Sequence, residues 1–374
     1  MGLFVLEMKQ PQEGRRALML SVGYGEGHHA AARAVAQAFS SEGWQTLLID
    51  PCQLAHPLLF KLTQAYYRFC VRSLPWLWEI TYAQTDTADW STKAKSPVFR
   101  RITELIRKTI IEYQPDVVVC TYPLFAHMMD SLIREEKIHC LYGVVVTDAI
   151  EISRPWMVTN APLIFLPDEY SEKLVSNRYA LSSERMIVSG FPVRREFAAL
   201  QKQRTVPTEG TIRIVYGAFG NLGRVRSDLA ALRCRLPQAH ITVLAGSLYG
   251  ALSAMENDAL HVVERCDNMP ALFAESHLYI GKAGAATVFE AYASCLPVII
   301  NYALPGQELG NLALLLHDGA GLTAVSSSEL VAKVVELLEH GAKGWRRLSA
   351  AMATVERGNG ADRIVMEINK RLYE

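Results

Sequence analysis

The residues best suited to chemistry lie in the last third of the chain, where a glycine-containing turn separates an apolar run from a helix-forming segment. The apolar run at residues 277–280 is typical of a buried strand, and Gly284, Ala285 and Ala286 follow it. Such small residues let backbone N–H groups come close to a ligand, and the N-terminus of a helix attracts anions. The segment therefore predicts a site for a pyrophosphate group.

Two polar residues follow this turn within the predicted helix. Thr287 stands in its first turn, and Glu290 lies about one turn into the helix. The carboxylate of Glu290 has the oxygens to accept two hydrogen bonds from the ribose hydroxyls of a nucleotide. The expected ligand is therefore a nucleoside diphosphate.

A tight turn at Gly306 comes after the next predicted strand, residues 297–301. It would direct Gln307 and Glu308 toward the group that the pyrophosphate carries, and Asn311 follows in the same segment. A hexose fits this position because its hydroxyls need several hydrogen-bond donors and acceptors. The cluster thus predicts a sugar-nucleotide site, although a strand, a turn and a helix on their own favour a purely structural origin.

A second glycine-containing turn follows the first predicted strand and contains Gly25 and Gly27. It fails the dinucleotide fingerprint because His28 occupies the place of the third glycine, and no Lys-Ser or Lys-Thr pair follows for a P-loop. At a helix N-terminus the dipole disfavours the imidazolium form of His28 and leaves a neutral base. Such a base could take a proton from an acceptor hydroxyl, whereas a lone histidine at a helix start is more often a cap or a surface residue.

Asp148 directly follows the strand-like run at residues 141–147. An aspartate at the carboxyl end of a parallel strand lies where ligands bind, although it caps a following helix just as often. We therefore expect Asp148 to be either the base or the residue that orients His28.

Short apolar runs alternate with helical patterns along most of the chain, as in proteins with buried parallel strands. The expected strands lie near residues 17–22, 46–50, 116–121, 141–147, 163–166, 186–189, 212–216, 241–245, 278–280 and 297–300. A polar stretch at residues 201–210 separates two such series. The sequence predicts an α/β protein with two doubly wound, Rossmann-like domains that face a cleft, over residues 1–205 and 206–374. The last helix, about residues 355–374, could pack back on the first domain.

Composition excludes several classes of protein. The chain has 374 residues, 50% of them hydrophobic, and 38 basic residues balance 38 acidic ones, so we expect no nucleic-acid partner. The seven cysteines form no Cys-x-x-Cys pair and resemble reduced, buried thiols. We found neither a signal peptide nor an uninterrupted apolar run long enough to span a membrane, so a cytoplasmic location is expected.

Residues 54–112 depart from the α/β pattern because aromatic and aliphatic residues alternate with Lys and Arg. Between residues 56 and 82 this mixture suits an interfacial surface on anionic lipid, or equally a helical segment packed on its own domain. The residues expected at the membrane or the acceptor are Tyr66, Tyr67, Arg68, Arg72, Trp76 and Trp78. For residues 98–112, the helical spacing of the apolar positions favours packing against the core.

The ordered set of motifs resembles the monogalactosyldiacylglycerol synthase and processive diacylglycerol glucosyltransferase family. It is more distantly similar to the peptidoglycan glucosaminyltransferase that acts on lipid I. The similarity extends from Leu18 to about Gly321. Its specific parts lie at residues 25–32, 114–116, 121–123, 147–148, 189–194, 282–291 and 305–311, and Gly220 stands in a loose form of the family's glycine-rich turn.

This resemblance implies a GT-B fold, with a UDP-hexose held mainly by the C-terminal domain and no cofactor or metal. It implies inverting transfer of the hexose to diacylglycerol or a related lipid, at the inner face of the cell membrane. His28 matches the family's proposed base, Glu290 its ribose ligand, and Gln307 and Glu308 its sugar contacts. The stretch at residues 74–78 resembles its membrane-docking region.

Other functions remain open at this point. A sugar-nucleotide 2-epimerase would share the fold and the donor site but would need no interfacial surface. A non-catalytic UDP-sugar sensor would keep Glu290 and Gln307 without depending on His28, and a transferase could also act on a soluble acceptor. A nicotinamide dehydrogenase is the weakest alternative because the dinucleotide fingerprint fails.

Overall fold

The computed structural model of the chain describes residues 14–74, 76–77, 80–81, 83–84, 96–179, 183–208, 212–305, 308–355 and 357–373. Two parallel six-stranded sheets form its centre. Alternate residues of the first strand, such as Leu18 and Met19, enter two different hydrophobic clusters, so helices cover both faces of the sheet. The predicted pair of doubly wound domains is confirmed.

The first sheet has the order β2-β1-β3-β4-β5-β6. Its strands are β1 (Arg16–Leu20), β2 (Gln45–Ile49), β3 (Val117–Cys120), β4 (Leu141–Val145), β5 (Leu163–Leu166) and β6 (Met186–Val188). The helices around it are α1 (Glu26–Ser41), α2 (Pro51–Ala55), α3 (Pro57–Ser73), α4 (Pro97–Tyr113), α5 (Pro123–Arg134), α6 (Arg154–Met157), α7 (Glu169–Tyr179) and α8 (Arg195–Leu200). In α4, Ile102, Ile106 and Ile110 are buried, which confirms that this helix packs on the core.

The second sheet has the order β12-β11-β10-β7-β8-β9. Its strands are β7 (Arg213–Gly217), β8 (His240–Leu244), β9 (Leu260–Val263), β10 (Leu278–Lys282), β11 (Val298–Tyr302) and β12 (Gly321–Thr323). Its helices are α9 (Leu222–Arg235), α10 (Tyr249–Leu252), α11 (Met269–Glu275), α12 (Ala285–Ser294), α13 (Leu309–His317), α14 (Ser327–Val355) and α15 (Gly360–Tyr373). Non-helical dihedral angles at residues 339–342 divide α14 into two segments.

Strand order decides where each domain can bind a ligand. In the first sheet the order reverses between β1 and β3, and in the second between β7 and β10. In open parallel sheets, ligands bind outside the carboxyl ends of the strands at such a reversal. The turns that follow β1 and β10 are the two glycine-containing turns singled out in the sequence.

The chain passes between the domains through closely packed residues. The ring of Phe191 stacks on that of Phe289 with centroids 4.5 Å apart. Phe197 of α8 is fully buried against Phe273 of the second domain. The predicted boundary after residue 205 placed helix α8 in the first domain. In the structure this helix packs on the second domain.

The last helix, α15, packs against α1 and the first sheet. Ala361, Ile364, Val365 and Ile368 belong to the same hydrophobic cluster as Val35 and Phe39 of α1. Asn369 also hydrogen-bonds Glu42, with Nδ2 and Oε2 2.7 Å apart. The C-terminal segment thus completes the core of the first domain.

Ile364→Ala should lower the free energy of unfolding by about 2–5 kcal/mol, because Ile364 is fully buried and the truncation leaves a cavity. Met366→Ala is the matched control, since Met366 lies on the same helix and is 55% exposed. Urea unfolding followed by circular dichroism measures both changes. Equal effects of the two substitutions would contradict the packing of α15 described above.

Candidate active site

The N-termini of α1 and α12 face each other across one cleft. Gly25 and Gly284 precede the two helices with extended backbone conformations. A Cβ placed on Gly27 would lie 4.0 Å from the Cβ of Ala285. The cleft between the helix ends has a volume of about 970 Å³. Both helix dipoles therefore direct their positive ends at the same space, which suits an anion.

Most of the predicted site residues line this cleft. From the first domain it is lined by Gly25, Gly27, His28, Tyr67, Arg68 and Asp148, and from the second by Gly220, Gly284, Ala285, Ala286, Thr287, Glu308 and Asn311. Gly220 has a φ of +79°, a conformation that glycine adopts without strain. Gly306, Gln307 and Trp78 lie outside the described residues.

The turn before α1 is held by α2 and α3. Asp50 caps α2 by accepting from the backbone N–H of Gln53 at 2.9 Å. Its other oxygen accepts from the N–H of Gly23, also at 2.9 Å. The side-chain amide of Gln64 in α3 donates to the carbonyl of Gly23. Helices α2 and α3 thus fix the position at which α1 begins.

His28 is the third residue of α1 and lies among aromatic rings. Its Nδ1 is 2.9 Å from the hydroxyl oxygen of Thr147. The ring centroids of Tyr122 and Trp156 are 5.2 Å and 6.1 Å from that of the imidazole. Burial lowers the pKa of His28 to about 4, and the nearby helix N-terminus acts in the same direction. His28 is therefore neutral at pH 7, as a general base must be.

Asp148 is close to His28 but contacts a different partner. Its Oδ2 accepts from the indole N–H of Trp156 at 2.7 Å, and burial raises the pKa of this carboxyl group to about 6. In the described part of the chain, no hydrogen bond joins Asp148 to His28. The group that contacts the His28 ring is the Thr147 hydroxyl, which sequence reasoning missed although Thr147 directly precedes Asp148.

Glu308 is buried behind a lysine. The Nζ of Lys282 donates to its Oε1, and the backbone N–H of Leu304 donates to Oε2 at 3.1 Å. The ammonium group also lies 5.1 Å from the ring centroid of Phe219. Lys282 is a second site residue that was not predicted from the sequence. A charged residue at the end of an apolar strand could have indicated it.

Asn311 leaves one acceptor without a partner. Its Nδ2 donates to the carbonyl of Ala283 at 3.0 Å, which ties α13 to the turn before α12. Its Oδ1 is buried and has no hydrogen-bond partner among the described residues. A buried polar atom without a partner is costly, so this oxygen suits a donor group of a ligand.

Glu290 is not brought into the cleft with the other residues. It lies in α12 but is absent from the cleft lining, and its charged neighbours are Arg194, Arg33 and Glu26. Burial raises the pKa of Glu290 to about 7, and the two arginines act against this shift. Its role toward a ribose remains a prediction.

Helix α3 connects the cleft with an exposed apolar surface. Burial raises the pKa of Tyr67, and Glu308 of the second domain adds to this shift; both side chains line the cleft. On the outer side of the same helix, Leu58, Leu62, Tyr66 and Phe69 are exposed by 76%, 68%, 45% and 56%. Trp76 is also exposed, and the side chain of Arg72 lies outside the described set.

Within the described residues, no three His, Cys, Asp or Glu side chains come together in a way that could hold a metal ion. None of the described helices has the length and apolar character needed to cross a membrane. All seven cysteines are free.

Two family models match the sequence. Residues 28–193 match the monogalactosyldiacylglycerol (MGDG) synthase model, and residues 241–366 match the glycosyltransferase family 28 C-terminal domain. Similar proteins include the processive diacylglycerol beta-glucosyltransferase of Bacillus cereus, 25% identical over 94% of this chain and 92% of the relative. The chloroplastic MGDG synthase of Spinacia oleracea is 26% identical over 87% of this chain and 66% of the relative.

Solved structures share the fold. MurG from Acinetobacter baumannii aligns with a TM-score of 0.60 and 16% identity, over 95% of this chain and 99% of that one. UDP-GlcNAc 2-epimerase from Neisseria meningitidis aligns with a TM-score of 0.58 and 13% identity, over 95% and 100% of the two chains. The predicted GT-B architecture is confirmed, and the resemblance found in the sequence motifs is confirmed by the family models.

The stability of the protein should depend on pH through His28. Its pKa falls from 6.5 to about 4 on folding, so the folded state binds fewer protons in this interval. The free energy of unfolding is therefore highest above pH 6.5, where the imidazole is neutral in both states. It decreases as the pH falls toward 4, because the unfolded state binds the proton and the folded state does not. Relative to His28→Gln, the wild type should lose roughly 1–2 kcal/mol between pH 7 and pH 5, measured by urea unfolding. Parallel pH profiles of the two proteins would contradict the buried, neutral state of His28.

Proposed function

We propose that the chain, which matches the MGDG synthase model over residues 28–193 and the glycosyltransferase family 28 C-terminal domain over residues 241–366, transfers a hexose from a UDP-sugar to diacylglycerol or a related membrane lipid with inversion. The observation that carries this proposal is one cleft that combines two facing helix N-termini with a neutral histidine and opens beside an exposed apolar helix. The helix N-termini would bind the donor, the histidine would act as the base, and the exposed apolar helix would bind the lipid acceptor.

The donor would lie mainly against the second domain. Backbone N–H groups at the start of α12 suit its pyrophosphate, and the unpartnered Oδ1 of Asn311 offers an oxygen atom to a hydroxyl of the donor. Fixed amide dipoles that stabilise developing negative charge supply a large share of catalysis in such sites. We propose that transfer requires no bound metal or cofactor.

His28 would act as the base. The acceptor hydroxyl loses its proton to the imidazole while its oxygen attacks the anomeric carbon, and the bond from that carbon to the phosphate oxygen breaks. The electron pair of this bond leaves with UDP. A single displacement of this kind inverts the anomeric configuration. The hydrogen bond between Nδ1 and the Thr147 hydroxyl supports the role because it fixes the orientation of the imidazole ring beside the cleft.

The acceptor would reach His28 along α3. Exposed Leu58, Leu62 and Phe69 form a surface that suits the interfacial region of a membrane, and Arg68 and Tyr67 continue from it into the cleft. We propose peripheral attachment to the anionic inner face of the cell membrane. Both relatives compared above are named for diacylglycerol lipids, which supports this acceptor class.

The apolar side of α3 also separates this proposal from the epimerase alternative. An epimerase acts on the nucleotide sugar alone and gains nothing from several exposed leucine and aromatic side chains on one helix. The match of residues 28–193 to a lipid glycosyltransferase domain supports the same choice.

Incubation with labelled UDP-glucose, UDP-galactose or UDP-N-acetylglucosamine and vesicles containing diacylglycerol tests the proposal. Chromatography of the lipid extract should show one labelled glycolipid. Label recovered only as free sugar or as the epimeric nucleotide, with every donor, would overturn the lipid-transferase assignment.

His28→Ala should lower kcat by roughly 10²–10⁴-fold, because it removes the general base, with UDP affinity nearly unchanged. Thr147→Val should lower kcat by roughly 10-fold because one orienting hydrogen bond is lost, and Thr147→Ser should retain most activity. Steady-state kinetics and calorimetric titration with UDP provide the two readouts. If the His28 variant keeps full transfer activity, Asp148→Asn becomes the next variant to measure.

Vesicle binding should depend on the outer side of α3. Replacing Leu58 and Leu62 together by Asn should weaken binding to anionic vesicles by at least roughly 10-fold, because two apolar side chains lose their lipid contacts. The matched control replaces Leu316 and Val325, which are 45% and 81% exposed on the second domain. Cosedimentation at increasing ionic strength should show weaker binding, because salt screens the basic residues. Equal loss in both variants would contradict a membrane role of α3.

A further inference from the structure

Lys282 is directed into the cleft by an irregularity at the end of β10. Pairing with β11 proceeds residue by residue up to Gly281 opposite Ile300, and Lys282 then pairs with Tyr302. The pairing therefore skips Asn301. A bulge of this kind changes the direction of the side chains beside it and is frequent next to active sites.

The ammonium group lies at the N-terminus of α12. Its Nζ is 3.3 Å from the position that a Cβ on Gly284 would take. It is also 5.1 Å from the ring of Phe219, in the turn after β7. Lys282 therefore lies between the two turns at which the strand order of the second sheet reverses, where a ligand of this fold binds.

The lysine is more open to the cleft than its counter-ion. The side chain of Lys282 is 33% exposed, whereas that of Glu308 is 5% exposed and also accepts from the N–H of Leu304. A cation supported from behind by a buried carboxylate keeps a defined position while its remaining donors stay available. Lys282 lines the cleft together with Gly284 and Ala285 at the start of α12.

We propose that Lys282 binds the β-phosphate of the UDP-sugar and stabilises the charge that UDP acquires as it leaves. This inference rests on the proposed function. When the bond between the anomeric carbon and the phosphate oxygen breaks, the electron pair stays on that oxygen. The proton released by the acceptor goes to His28, and Lys282 remains an ammonium ion throughout. Its contribution adds to that of the helix dipole at the same position.

Calorimetric titration with UDP and with UMP tests this assignment, because UMP lacks the β-phosphate. In Lys282→Met the affinity for UDP should fall roughly 10-fold to 100-fold, the range for a lost charge-assisted contact, while the affinity for UMP stays within about twofold. Lys282→Arg should retain most of the UDP affinity. Lys343→Met, at an exposed position of α14, is the control and should bind both nucleotides as the wild type does.

Lys282→Met leaves the Glu308 carboxylate buried without its cation, which can destabilise the fold. The Lys282→Met, Glu308→Gln double variant removes both charges and should melt near the wild-type temperature. In the folded double variant, selective loss of UDP affinity would support the assignment.

Equal losses of UDP and UMP affinity, or no loss of either, would overturn the role of Lys282 and leave lipid glycosylation by the wild type untouched. Failure of the wild-type protein to bind UDP would overturn both the Lys282 assignment and the proposed donor. The two proposals therefore fail in distinguishable ways.

Discussion

The opposition of two helix N-termini across one cleft is the constraint on which the other features of the site depend. It arises because each sheet reverses its strand order beside the turn that precedes α1 or α12. Gly27 and Ala285 lie close together, since a Cβ on Gly27 would be 4.0 Å from that of Ala285. Packing of Phe191 on Phe289 and of α15 on α1 holds the domains in this relation. Substrate charge can thus be stabilised by backbone groups that are already in place.

The sequence predicted the elements of this arrangement well because apolar periodicity and glycine position are local signals. It placed His28 at the N-terminus of a helix and Gly284 in the turn before another. It could not identify the partner of His28, because Thr147 is 119 residues away and adjacent Asp148 is the more conspicuous side chain. The pairing of Lys282 with Glu308 depends on a bulge and on the turn after β11, which no periodicity reveals. Glu290, chosen by its spacing, is absent from the cleft lining, and its charged neighbours are Arg194, Arg33 and Glu26.

Helix α3 extends from an exposed apolar surface to the cleft. One side of the helix exposes Leu58 and Leu62, while Gln64 holds the carbonyl of Gly23 at the turn before α1. Tyr67 reaches the neighbourhood of Glu308 in the second domain. An acceptor held at the membrane surface would therefore meet the base and the donor through a single rigid element.

The account depends on direct displacement by an acceptor oxygen that His28 deprotonates, so the stereochemistry of the product tests it most directly. Proton NMR of the glycolipid formed from a UDP-α-hexose reports the anomeric configuration of the transferred sugar. The account predicts a β-linked sugar. An α-linked product would contradict it, because retention requires a second displacement or a different reaction path.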